Sequence, residues 1–415
     1  MMKQLSFWVL TILGLSTIAC TSPSSPTVNN GTWRATLSRD TRELPFLLDI
    51  TANSDGETYT VYAVNGAERL KMDTAYVQND SLHIPMELFD SELIGKIDEG
   101  KLTGVWRRTR VGQFYGELPF EAVYEETYRF FKEDTAVTTL DLGGKWAIEF
   151  RGENPEDTYP SVGLFEQTGS TVTGTFLTTT GDYRYLAGNV KGDSLFLSCF
   201  DGQHAFLFEA AVQADGTLKG GFWSGTEDYE TWTGRRDPNA ELPDANTLTF
   251  LKPGYDTFNF SFPDANGKMV SLQDPAFKDK VVVVQIMGSW CPNCMDETKF
   301  LSPWHKKNRD RGVEVVGLAF ERSSKLADSA PKLRKMSERY DLYYPVLLAG
   351  VSDKDSAAQA LPMLNQVLSF PTTIVMDKQG KVRNIHTGFS GPGTGKYYDK
   401  FVDEFNLLID KLLSE

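Results

Sequence analysis

Two stretches of the chain repeat one another. GTWRATLSR begins at Gly31 and GKWAIEFRG at Gly144, each opening Gly-x-Trp, and NDSLHI places Asp80 where GDSLFL places Asp193. Both pairs stand at the same offset of 113 residues, and each stretch closes on a similar landmark, GKLTGVW from Gly100 and GTLKGGFW from Gly216. The same landmarks in the same order at one offset indicate a duplicated domain, placed at residues 31–126 and 141–236. Within each copy, short alternating runs are broken by turn dipeptides such as Asn65-Gly66, Asn79-Asp80 and Asp215-Gly216. In SLFLSCF, Leu195, Leu197 and Cys199 fall on one face, the period of an antiparallel strand. Each copy is therefore expected to be an all-β antiparallel barrel or sandwich.

The Gly-x-Trp opening resembles that of lipocalin-like and avidin-like barrels. Trp33, Trp106, Trp146, Trp223 and Trp232 are expected to fill cores, and Cys199 to behave as a small buried hydrophobe. His83 and His204 stand alone in strand-like contexts, with no partner cluster in view.

The chain has 415 residues and a formal net charge of −14, which opposes a nucleic-acid partner because a phosphate backbone would be repelled. At the N-terminus, Lys3 precedes an apolar run from Leu5 to Ala19 that is too short to span a bilayer and has the length of a secretory signal core. Ala19-Cys20 and the following TSPSSPTVNN resemble a bacterial lipoprotein signal. The resemblance implies a signal peptide at residues 1–19, a lipidated Cys20 and a tether over residues 20–30. The location it implies is the cell envelope, facing the periplasm and held to a membrane by lipid, the outer membrane included. Besides Cys20 there are only Cys199, Cys291 and Cys294, too few for a disulfide scaffold at this size.

Pro238, Pro243 and Pro253 mark a linker, placed at residues 237–250, and beyond it the pattern changes. FNFSFPDANGKMVSLQD reads as a hairpin turning at Asn266-Gly267. KVVVVQIM is a continuous apolar run, as expected of a strand covered on both faces. A helix follows to about Arg311, then GVEVVGLAF as a second buried strand. LADSAPKLRKMSERYDL reads as a helix with charges on one side. A hairpin turns at Gln379-Gly380, and an amphipathic helix closes the chain with Phe401, Phe405, Leu408 and Leu412 near one face. This is a compact α/β layout over residues 251–415.

The chemistry concentrates in GSWCPNC. Pro292 suits the first position of a helix, which makes Cys291 the N-cap. A thiolate there faces free backbone N–H groups and the positive end of the helix dipole, so it ionises more readily than a free cysteine. Cys294, three residues on, lies on the same side of the first turn, so a disulfide closes and opens with little backbone movement. Haem attachment needs a histidine after the second cysteine, where Met295 stands, and zinc needs two further ligands where the nearest histidine is His305. No metal and no cofactor is expected. The favoured cycle is attack by one thiolate, a mixed disulfide, then resolution by the second thiol.

GSWCPNC after a buried strand, followed far downstream by SFPTTIVMDKQGKV, resembles the thioredoxin-fold domain of TlpA-like and ResA-like thiol–disulfide oxidoreductases, over roughly the last 165 residues. The resemblance implies a multidomain chain, with the duplicated all-β region ahead of an α/β thioredoxin-like fold. It assigns Trp290 to the aromatic position before the first cysteine and makes Pro371, after Phe370, a cis-proline beside the pair. Backbone at Phe370 and Pro371 then receives the substrate as an added strand. Glu297 matches an acidic residue of such proteins and is expected to shuttle a proton. Gln285 occupies the position where thioredoxin carries a buried Asp and is expected to serve as a hydrogen-bonding spacer. Lys299 stands where relatives often have proline, so the first helix is expected to lack their kink. The implied partners are protein thiols and disulfides and a membrane or periplasmic electron donor, with reduction favoured over oxidation. Two other readings stay open: a β-domain binding module with an accessory redox domain, and a thiol peroxidase, suggested by the FSFPDANGKMVSL opening.

Overall fold

The computed structural model describes residues 27–132, 140–154 and 156–415. The signal segment, Cys20 and most of the expected tether lie outside the described residues. No described helix is long and apolar enough to cross a membrane.

The first copy contributes nine strands: β1 (Gly31–Arg39), β2 (Arg42–Ala52), β3 (Thr58–Asn65), β4 (Glu68–Lys71), β5 (Ala75–Gln78), β6 (Ser81–Met86), β7 (Ser91–Asp98), β8 (Lys101–Arg110) and β9 (Gln113–Tyr124). Their order is β2-β1-β9-β8-β7-β6-β5-β3-β4, and β2 also pairs with β3, so eight strands close a ring and β4 hangs on it. The second copy repeats this with β10 (Gly144–Arg151), β11 (Thr158–Thr168), β12 (Thr171–Thr178), β13 (Gly181–Asp182), β14 (Leu186–Lys191), β15 (Ser194–Phe200), β16 (Ala205–Val212), β17 (Leu218–Ser224) and β18 (Asp228–Arg236), closed by β11 against β12 with β13 as the appendage. Closure follows from the alternating pattern: one face of each strand fills the interior, and no long edge is left unpaired. In β3, for example, Tyr59, Val61 and Ala63 are buried and alternate with half-buried neighbours. The second barrel is packed with rings, Phe150, Phe176, Phe208 and Trp232 among them.

Four of the five tryptophans lie in cores as expected, each 2 % exposed or less. Trp223 differs. It is half-buried, beneath the Arg42 guanidinium at 4.1 Å, and Arg42 in turn pairs with Glu209, so this ring serves the contact between the barrels. The barrels also share a core. Phe200, from the end of β15, stacks on Phe46 at 4.3 Å and meets Trp106 edge-on at 5.5 Å. Asn65 exchanges two hydrogen bonds with the Phe200 backbone, at 2.8 and 3.1 Å, and so completes a strand end across the join.

The segment after the barrels forms a short helix, α1 (Ala245–Leu248), and is stitched to the last domain by Asn246 bonding Asn384 and Thr387 bonding Thr249. Then follow β19 (Ser261–Pro263), β20 (Met269–Ser271), β21 (Val281–Met287), α2 (Pro292–Asn308), β22 (Val313–Glu321), α3 (Leu326–Arg339), β23 (Val346–Val351), α4 (Lys354–Ala360), β24 (Thr372–Met376), β25 (Val382–Thr387) and α5 (Lys396–Ser414). The sheet order is β23-β22-β21-β24-β25, parallel through the first three strands and antiparallel after β21. Every residue of β21 is buried because both faces are covered. Val281, Val283 and Met287 pack with residues of α2, α3 and α5, while Val282, Val284 and Ile286 pack with residues of α4 and the segment at Phe258 and Phe260. This is a thioredoxin-like fold.

Two sequence expectations need correction. The α/β layout lacked β23 and α4: VLLAGV is short and does not alternate, so it carries no period. On α5, Ile409 is buried and Leu408 only half-buried, a shift of one position around the helix. α2 carries Lys299 and, four residues on, a proline of its own inside the helix, Pro303.

Charge holds the three bodies together. Lys332, Lys335 and Arg339, along one side of α3, meet Asp90, Asp73 and Glu87 of the first barrel. Arg184, 2 % exposed, contacts Glu68 of the first barrel, Asp201 of the second and Asp296 of α2. Burial works against its charge, and the carboxylates outweigh that and raise its pKa well above the ordinary value. Arg184→Met removes the shared counter-charge from three buried carboxylates, so the expected loss is about 3–5 kcal/mol, read as the shift in urea unfolding followed by tryptophan fluorescence. A loss below about 1 kcal/mol, the worth of a surface pair, would contradict this account.

Candidate active site

Strand β21 ends at Met287, and the chain turns through Gly288-Ser289-Trp290 into α2. Gly288 is required there, because a Cβ would collide with the Trp290 indole and lie 2.9 Å from the Phe320 carbonyl oxygen. The turn is fixed from behind. Ser289 donates from its N–H and its hydroxyl to the buried Glu321 carboxylate, at 2.8 and 2.7 Å, and Trp290 Nε1 donates to Phe320 O at 2.8 Å. Neither Glu321 nor its bonds to Ser289 were foreseen, since they come from strand β22, 32 residues away.

Cys291 is the N-cap of α2, and its Sγ accepts from Cys294 N–H at 3.2 Å. Pro292 takes the first helical position. Cys291 and Cys294 form a disulfide with a Cα–Cα separation of 5.2 Å. The two cysteines are not equivalent: Cys291 is 5 % exposed and Cys294 fully buried. The Phe370–Pro371 bond is cis, and the Phe370 carbonyl oxygen lies 3.3 Å from Cys291 Sγ. Trp290 packs edge-on against Phe370 at 5.7 Å. Trp290, Pro292, Phe370 and Pro371 are thus all brought to the cysteine pair.

Glu297 lies one turn beyond Cys294, wholly buried. It accepts from Thr373 Oγ1 at 2.5 Å and from Gln285 Nε2 at 2.8 Å. Gln285 also reaches the Cys294 carbonyl at 3.2 Å and accepts from Thr298 at 3.2 Å. Burial pushes the Glu297 pKa up to about 7, against two hydrogen bonds that favour the ionised form. A carboxyl with such a pKa is suited to exchanging a proton at neutral pH. Thr373 is a partner the sequence did not single out; its cue was its place two residues after Pro371.

The second barrel covers part of this surface. Asn293, between the cysteines, donates to Asp182 O at 3.0 Å. Ser369 donates to Thr180 O at 2.6 Å, and Gly391 N–H to the Asp182 carboxylate at 2.6 Å. Gly388, whose N–H bonds Pro371 O at 2.9 Å, packs so closely that a Cβ would lie 2.9 Å from the Thr180 carbonyl carbon. The tip of the β12–β13 hairpin therefore rests on the residues around the disulfide. No periodicity signals such a contact between domains. The two histidines read as unpartnered do have partners: His83 contacts Glu92 at 2.9 Å and His204 contacts Asp201 at 3.0 Å. Among the described residues, no cluster of His, Cys, Asp and Glu is arranged to hold a metal ion.

The AhpC/TSA family matches residues 253–385. The thiol-disulfide oxidoreductase ResA of Bacillus thuringiensis subsp. konkukian is 30% identical over 132 residues, 32% of this chain and 68% of that protein. The chain belongs to the ResA-like thiol–disulfide oxidoreductases. The thioredoxin-like protein YneN of Bacillus subtilis is 29% identical over 138 residues, 33% of this chain and 73% of its own length. Among solved structures, a thioredoxin-family thiol:disulfide interchange protein from Chlorobium tepidum TLS is 20% identical with a TM-score of 0.29, covering 42% of this chain and 99% of that one. The ResA-like part is thus the C-terminal domain, and the barrels are additional to it.

A raised pKa at Glu297 has a defined effect on stability. Its neutral form is favoured in the fold, so that stabilisation is complete below the ordinary value of 4.5 and is lost as pH rises through about 7. The lost stability is roughly 3 kcal/mol. Glu297→Gln keeps the shape and cannot ionise, so its unfolding free energy is expected to fall less than the wild type's across that window. The pH profile of thiol alkylation in the reduced protein should lose an inflection near neutrality. Parallel stability curves together with an unchanged alkylation profile would rule out the proton-carrying role.

Proposed function

We propose that this ResA-like protein is an extracytoplasmic disulfide reductase, tethered to the envelope membrane through Cys20, with two β-barrel domains at residues 31–126 and 141–236, a linker at 237–250 and the redox domain at 251–415. The observation that carries the reading is the pairing of an N-cap cysteine with a fully buried one, beside a buried carboxyl poised near neutral pH.

In the reduced protein, the Cys291 thiolate attacks one sulfur of a substrate disulfide. The substrate S–S bond breaks, one substrate sulfur leaves as a thiolate, and the other is held to Cys291. Cys294 then gives its proton to the Glu297 carboxylate and attacks Cys291 Sγ. The mixed disulfide breaks, the second substrate sulfur leaves, and the proton is available to it. The substrate gains two electrons, one proton from Cys294 by way of Glu297 and one from solvent at the first leaving thiolate, and Cys291–Cys294 is left as the disulfide seen here. Gln285 and Thr373 hold Glu297, while Trp290, Phe370 and Pro371 form the wall against which the substrate segment lies. A dithiol donor in the membrane or envelope returns the pair to the reduced state.

The filled barrel interiors favour a positioning role for the barrels over an internal ligand cavity. The anchor is supported by the Leu5–Ala19 run and Ala19-Cys20.

A reductase is expected to have a potential near or below that of thioredoxin, about −270 mV, in equilibrium with a dithiol buffer; a value near the strongly oxidising end, about −120 mV, would contradict the direction. In fractionated bacterial cells expressing the full chain, Cys20→Ala should move it from the membrane to the soluble fraction, and unchanged partition would refute the anchor.

A further inference from the structure

Beside Trp290, three guanidinium groups converge. Arg108 and Arg110 come from β8 of the first barrel, and Arg322 follows β22. With Tyr115, His204 and Asp228 they line a pocket of 230 Å³. The Arg322 guanidinium lies over the Trp290 ring at 4.3 Å, and Arg108 lies 5.2 Å from both the Trp106 and Tyr115 rings. Arg108 Nε is buried and has no hydrogen-bond partner.

The charge balance is unusual for a chain with a net charge of −14. Two carboxylates line the pocket, Asp90 and Asp228. Asp90 is taken by Lys332. Arg39 adds another cation at the rim, donating to the backbone oxygen of Asp228 at 2.7 Å and of Glu227 at 2.5 Å. The carboxylate behind His204, Asp201, already faces both that histidine and Arg184. Burial first, then the charges of Arg110 and Arg108, hold Arg322 below its ordinary pKa. Cations in this arrangement repel one another until an anion joins them.

The pocket also has a defined relation to the disulfide. Its wall residue Arg322 covers Trp290, which precedes Cys291 and packs on Phe370. On the Asn293 side, the β12–β13 hairpin closes the approach. Trp290, with Arg322 over it, joins this pocket to the cysteine pair.

We propose that this pocket is a substrate subsite for an anionic side chain, so that the protein selects disulfides flanked by acidic residues. The proposal rests on the reductase reading and adds the substrate class to it. Arg108 and Arg110 are binding residues supplied by the barrel, and Arg322 both binds and steadies Trp290.

The test uses the full chain and disulfide-bridged peptides that differ only in a flanking Asp, Asn or Lys. Reduction of the Asp peptide is expected to show a KM about tenfold below that of the Asn peptide at low salt, with the advantage shrinking as salt rises. Arg110→Gln, at an exposed position, should raise KM for the Asp peptide toward that for the Asn peptide, and Arg110→Glu should turn the preference toward the Lys peptide. Arg108→Lys, which keeps charge but not the forked geometry, should weaken the Asp peptide only. Equal KM values for Asp and Asn peptides, or a preference unaffected by Arg110→Glu, would overturn the subsite. Peptide binding to a Cys291→Ser, Cys294→Ser chain separates the two layers. An Asp preference in binding without turnover by the wild type keeps the subsite and rejects the reductase; equal binding rejects the subsite whatever the turnover.

Discussion

One buried guanidinium sets the relation between the barrels and the redox site. Arg184 is enclosed by Glu68, Asp201 and Asp296, which come from three different parts of the fold. Asp296 is two residues beyond Cys294, just past the first turn of α2. Charges removed from water this completely are costly unless each finds its partner. The arrangement therefore tolerates little sliding of one body on another, and the first turn of the catalytic helix inherits that rigidity. The β12–β13 hairpin belongs to the same barrel as Arg184, so its placement over Asn293 and Gly388 follows from the same constraint. The barrels thereby become part of the active-site wall.

Within that frame the chemistry is a matter of unequal burial. A surface cysteine would react with any disulfide, and a fully buried one with none. Here the N-cap cysteine is slightly exposed, its partner is not, and the carboxyl behind them is buried enough to hold a proton near neutrality. Gln285 links the carboxyl to the backbone of Cys294 without a charge of its own, so the Glu297 proton has no second acid beside it to compete. The Glu321 carboxylate serves another purpose: its two bonds to Ser289 fix the loop that presents Trp290 and Cys291.

The parts legible in the sequence were those written in local pattern. The duplication showed because the landmarks of β1 and β10, and of β6 and β15, kept their spacing. Strand β21 showed because a run of valines has no polar face, and the N-cap because Pro292 follows Cys291. The hairpin at Gln379-Gly380 showed through its turn residues. What escaped was set by contacts between distant segments. Strand β23 has no period of its own and is held by pairing with β22. Trp223 looks like any barrel tryptophan until Arg42 of the other copy is placed over it. Arg184, Glu68 and Asp201 are ordinary charged residues in sequence, and only tertiary closure brings them together. Asn293 had no assigned role in the sequence, yet it is where the second barrel touches the site.

The central claim is that Cys291 attacks and Cys294 resolves. It is tested most directly by mixing each single Cys→Ser variant with a disulfide-bridged peptide and reading the adduct by mass spectrometry. Cys294→Ser should accumulate a stable mixed disulfide at Cys291, because nothing is left to resolve it, while Cys291→Ser should accumulate little, its remaining sulfur being shut away from the surface. Adduct formation predominantly by the Cys291→Ser protein, through Cys294, would contradict the account.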